Sequence, residues 1–107
     1  MKPLIARNPD VAWREEPEER ERIARALERG EDASDRGWVL LVDRGRMHQL
    51  NLVAGEIWLL ADGTRDAGGV ARELADRFDA PYEDILADVE AFLSECRSNG
   101  WIREAPG

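Results

Sequence analysis

Residues 38–61 read WVLLVDRGRMHQLNLVAGEIWLLA, and the order of features in that stretch decides the fold. Residues 38–42 are a continuous apolar run of strand length, built from types that favour sheet. Asp43-Arg44-Gly45 supplies turn chemistry, and Arg46–Leu50 returns as a second strand, so the two form a hairpin. In the return strand Met47 and Gln49 share one face, while Arg46, His48 and Leu50 share the other. Neither face is wholly apolar, which is the pattern of a strand at a sheet edge. Asn51 follows as an N-cap, and residues 52–61 read as a helix with a broad apolar surface of Val53, Ile57, Trp58 and Leu60.

Downstream, Asp62-Gly63 closes that helix and Asp66 caps the next, Ala67–Phe78, whose Val70, Leu74 and Phe78 lie four apart. Gly68 and Gly69 weaken its first turn by about 1 kcal/mol each relative to alanine. Asp79-Ala80-Pro81 breaks the chain and opens a third helix over residues 82–98, with Glu83 and Asp84 at the positive end of its dipole. Ile85, Val89, Phe92 and Cys96 form one row there, flanked by Leu86 and Leu93, an arc of roughly 120°. Asn99-Gly100 ends the helix. Trp101-Ile102 is expected to fold back as an apolar clip, and residues 103–107 to trail as a loose tail.

Upstream, Val11-Ala12-Trp13 is a short strand-like piece. Pro17 opens a helix over residues 17–29, and Gly30 stops it. Glu16/Arg20, Glu18/Arg22 and Glu21/Arg25 are four apart with the acid first, the favourable order. Only Ile23, Leu27 and a few alanines give it an apolar stripe, so it reads as a solvated helix. Residues 31–37 form a polar linker, making 17–37 a charged insertion after the first strand. The resulting class is α+β: a small antiparallel three-stranded sheet followed by three helices, in a single domain over 1–107.

Composition narrows the function. The chain has 107 residues, a net charge of −8, one histidine and one cysteine. That balance disfavours phosphate backbones and anionic membranes. No His/Cys metal cluster can be assembled, no phosphate-cradling glycine loop is present, and no carboxylate pair stands out. No catalytic residue, metal or cofactor is expected. The absence of a signal-like start or an apolar run of about 18 residues fits a cytoplasmic protein, as does the lone Cys96.

The segment 50–102 carries a family pattern. Leu50-Asn51 leads into Ala54, Glu56-Ile57 and Asp62-Gly63; then come Val70, Glu73-Leu74, Phe78, Asp88-Val89, Phe92-Leu93 and Asn99-Gly100-Trp101-Ile102. In order and spacing these resemble the PqqD family, or RiPP recognition elements. The charged insertion, with RNPDVAWREE at residues 7–16, is similar to the PqqD-like members of GeoRSP-type clusters, which contain radical SAM/SPASM proteins. The insertion departs from the compact family pattern, which bears on how the first strand pairs.

The resemblance implies a winged helix-turn-helix-like fold and a non-catalytic peptide chaperone. Such a protein binds the leader of a ribosomally made precursor peptide as an extra strand and presents it to a radical SAM maturase. Carried over, the docking edge is Arg46, Met47, His48, Gln49 and Leu50, and the opposing wall is Leu86, Val89, Glu90 and Leu93. The residues alone also suit that task. An edge strand offers unpaired N–H and C=O groups to an extended peptide, and Arg46 and His48 discourage pairing with copies of itself. The same strand is also readable as a protected edge with no ligand. Arg44 and Arg46 against Asp43 leave residues 38–50 at +1, while residues 82–98 carry −4, so a guest could match both signs. Two other readings remain: a winged-helix DNA-binding regulator, and a structural subunit that stabilises a partner enzyme. A monomer and a strand-exchanged dimer are both compatible with the sequence.

Overall fold

A computed structural model describes residues 3–33 and 36–105. The elements run β1 (Leu4–Arg7), β2 (Ala12–Glu15), α1 (Pro17–Glu28), β3 (Val39–Asp43), β4 (Arg46–Leu50), α2 (Leu52–Leu60), α3 (Ala67–Phe78), α4 (Tyr82–Asn99) and β5 (Ile102–Ala105). Contacts group them into two compact units, Asp10–Gly55 and Met1–Pro9 with Glu56–Gly107. The division falls inside α2.

In the Asp10–Gly55 unit, β2, β3 and β4 form an antiparallel sheet in that order. The first strand sits one to two residues later than the sequence suggests. Val11 is buried but precedes the ladder, which begins at Ala12↔Val42. Likewise β3 starts at Val39, because Trp38 lies at a bend and its indole is buried. Trp38 Nε1 donates to the Leu52 carbonyl at 3.3 Å, and the Arg20 guanidinium lies over its ring at 5.4 Å. Gly55 lies against that indole so closely that a Cβ there would come within 2.4 Å of Nε1. Glycine is therefore required in mid-helix by close approach, not by φ.

The charged helix α1 ends at Glu28, and Gly30 with φ +76° carries the chain out of it. Of the spaced ion pairs, Arg25–Glu21 forms at 3.4 Å. Arg22 turns instead to Glu19, and Arg36 reaches the same carboxylate at 3.3 Å. The Arg22 hydrogen bond leads in holding the Glu19 carboxyl below its ordinary range. Ile23 and Ala26 are the buried positions, a narrow stripe on an otherwise solvated helix.

In the other unit the caps are those the sequence spells. Asp66 accepts from the Gly69 N–H at 2.7 Å to start α3. At the end of α4, Trp101 N–H donates to Cys96 O and Gly100 N–H to Arg97 O, with Gly100 at φ +72°, a Schellman closure. Ile57, Trp58, Val70, Leu74, Ile85, Val89, Phe92, Leu93 and Cys96 are buried, whereas Phe78, at the end of the α3 stripe, is half-buried. Buried Glu56 faces Arg77 at 3.1 Å, so the charge inside this unit is paired.

The terminal segments correct the sequence reading. Residues 103–105, expected in a loose tail, belong to β5, which pairs antiparallel with β1 from Leu4↔Ala105 to Arg7↔Ile102. Pro106 and Gly107 lie outside the described residues. On its other side β1 is held by the turn after α2: Ile5 N–H donates to Arg65 O, Gly63 N–H to Ile5 O, and Arg7 N–H to Ala61 O. Asp62-Gly63 thus closes the helix and also forms a wall of this second, two-stranded sheet. No helix among the described residues is long and apolar enough to cross a membrane.

Candidate functional site

The β3–β4 hairpin is closed by Arg44 and Gly45, whose φ values of +52° and +78° make a two-residue type I′ turn. Such a turn makes Asp43 and Arg46 a hydrogen-bonded pair, so the ladder alternates to Leu41↔His48 and Val39↔Leu50. A second observation fixes the same parity. Glu16 N–H donates to Trp38 O on the β2 side, which places Leu40 and Val42 as the β3 residues bonded toward β2. By alternation, the N–H and C=O of Met47 and Gln49 point away from β3. Among the described residues no strand pairs with that side of β4. The same reasoning directs Glu15 outward from β2, and among the described residues no strand pairs with that side of β2 either.

The side chains of β4 divide as the sequence says. Met47 is 64% exposed and Gln49 exposed on one face; His48 is half-buried and Leu50 buried on the other, with Arg46 exposed by the turn. The expected wall residues stand on α4, in the other unit. There Val89 and Leu93 are closed over, at 0% and 1% exposure, which leaves Leu86, half-buried, and Glu90, exposed, as the two open to solvent. Glu90 borders a concavity of about 370 Å³ with Ser94, Arg97, Glu104, Pro3, Ile5 and Ala67. Arg97 and Glu104 are joined by an ion pair.

Other singled-out residues settle into packing. Trp38, Trp58 and Trp101 are buried. Cys96 is buried, and desolvation, helped by the Glu95 charge, pushes its thiol up to about 12, which removes it as a nucleophile at neutral pH.

The sequence reading missed an open apolar face on the sheet. Ala12, Val42 and Met47 stand side by side across the three strands, and with Trp13, Leu40 and Arg14 they line a shallow concavity of about 300 Å³. The run at residues 38–42 is apolar throughout, yet Leu41 is 0% and Val42 44% exposed. A continuous apolar run conceals that alternation. The signal was in the flanking strands, where Ala12 and Met47 fall level with Val42.

Residues 37–102, more than half of the chain, match the family described as coenzyme PQQ synthesis protein D (PqqD). This chain belongs to the PqqD family. The family match begins at Gly37, so β1, β2 and α1 precede it. A PqqA binding protein of Bradyrhizobium diazoefficiens is 37% identical over 68 residues, 64% of this chain and 65% of that protein. One from Rhizobium meliloti strain 1021 is 34% identical over 74 residues, 69% of this chain and 74% of the relative. The chain thus spans somewhat under two thirds of the first relative's length. In fold it is similar to the solution NMR structure of the PqqD truncation of Methylobacterium extorquens PqqCD, a protein described as a functional and stand-alone RiPP recognition element. The TM-score is 0.63 at 18% identity, covering 92% of this chain and 87% of the other.

Proposed function

We propose that this PqqD-family protein is a non-catalytic recognition element that holds the leader of a ribosomally made precursor peptide as a fourth strand on β4. The single observation that carries the reading is the outward row of backbone groups at Met47 and Gln49, with no strand of its own chain paired to it among the described residues. Main-chain bonding of this kind gives affinity with little demand on sequence, and side-chain contacts then select the guest. Relatives named for binding PqqA, and a similar fold described as a functional RiPP recognition element, support a peptide as the ligand. Val89 and Leu93, expected in the wall of the site, are buried and hold α4 in its own unit. The guest is then presented to a radical SAM maturase, as the resemblance to the wider family implies.

Fluorescence anisotropy with labelled precursor leaders, PqqA from a relative first among them, tests this. A nanomolar to low micromolar dissociation constant, on the order of −8 to −12 kcal/mol, is expected for the cognate leader. Gln49→Pro removes an outward N–H and should weaken binding while leaving the hairpin folded. Glu15→Pro does the same at the β2 edge and should leave affinity unchanged. Loss with Glu15→Pro but not with Gln49→Pro would move the guest to β2, and no leader binding at all would favour the stabilising-subunit reading.

A further inference from the structure

Strand addition on β4 has a consequence for the open face of the sheet. A guest residue level with Met47 must point to the same side as Met47, because facing residues of paired strands share a face. On that side lies the row Ala12, Val42, Met47, which runs across all three strands and ends at the β4 edge. All three members are exposed, Met47 at 64% and Val42 at 44%. Arg14 is the charged residue lining this hollow, and no acid lines it. We infer that this face is a selectivity surface for the guest, and that it takes an apolar side chain at the guest position level with Met47. This rests on the strand-addition reading above and adds which residues choose the guest.

Other occupants fit less well. A second copy would need roughly 800 Å² of each partner for a stable interface, and a few side chains around one shallow hollow fall short. An anionic lipid surface is disfavoured by the net charge of −8. An added strand needs only that the existing row be extended by one member. It also covers Met47, an unbranched, polarizable side chain suited to adapting around a varied apolar neighbour.

The test uses the full chain and a display library of random 12-residue peptides. Selected peptides are measured by anisotropy against wild type, Gln49→Pro, Met47→Lys and Val42→Thr, each variant first checked by circular dichroism. Val42→Thr keeps shape and fold while making the row polar. The expected result is enrichment of an apolar residue at one position, with affinity falling at least tenfold on Met47→Lys and several-fold on Val42→Thr. Replacing that guest residue by Glu should abolish binding to wild type and restore it on Met47→Lys. Peptides that depend on Gln49 but bind Met47→Lys and Val42→Thr as they bind wild type would overturn this inference and leave strand addition standing. Peptides indifferent to Gln49→Pro, or no enrichment at all, would overturn both.

Discussion

Arg44 sits at φ +52°, in the left-handed region where a residue with a Cβ is strained by about 1 kcal/mol and asparagine or glycine is not. The turn as a turn was legible in Asp43-Arg44-Gly45, but its type was not, because arginine is not the residue that a type I′ turn requests. Arg44→Asn should therefore stabilise the chain by about 0.5–1 kcal/mol, read as a higher urea midpoint with an unchanged slope. Equal midpoints would mean that the hairpin is not closed in this form, and the parity that aims Met47 and Gln49 outward would lose one of its two supports. At the same scale, Cys96 was correctly read as a small buried hydrophobe from its place on the α4 row. Its thiol, raised by burial from 9.0 to about 12, stays neutral in the folded chain after the unfolded chain has begun to ionise. The contribution is complete below pH 9 and declines as pH rises toward 12. Between pH 8 and 10.5 wild type should lose stability faster than Cys96→Ala, in paired urea titrations. Parallel curves would show that the thiol meets solvent.

Elements with a local signature were legible nearly to the residue. Asn51 caps α2 through a bond from Ala54 N–H to its Oδ1 at 2.9 Å, and Asp66 and Gly100 mark the ends of α3 and α4 as expected. What escaped was the pair β1 and β5. Each is four residues long with one buried side chain, Ile5 or Ile102, so neither shows a period, and no turn links partners at opposite ends of the chain. The same long range hides Arg7, whose Nη1 donates to the carbonyls of Trp58 and Leu59, both at 2.9 Å, and so closes the C-terminus of α2. No spacing rule connects residue 7 with residue 58. Arg7→Ala strips two charge-assisted bonds from part-buried carbonyls and should cost about 2 kcal/mol in urea unfolding, with Arg7→Lys recovering only part. A cost under about 0.5 kcal/mol would show that water replaces the guanidinium without loss.

For the whole molecule, charge separates the peptide-binding reading from the DNA-binding regulator that the same order of strands and helices could build. A protein that reads DNA brings lysines and arginines to the phosphates, and its affinity falls steeply with salt as counterions are released. Here the net charge is −8. The region 66–79 sets Arg72 and Arg77 against Asp66, Glu73, Asp76 and Asp79, and Arg77 is already engaged with Glu56 and Glu73. On α4, acids outnumber Arg97 five to one between residues 82 and 98. Neither helix can lie on a phosphate backbone without repulsion, and a peptide bonded through its main chain has no such demand. A gel shift with duplex DNA at about 150 mM salt should show no complex at micromolar protein. Lowering the salt should not rescue binding, because screening is then weaker and the repulsion stronger. A complex that forms and tightens as salt falls would require a basic surface away from both helices, and would return the regulator to first place.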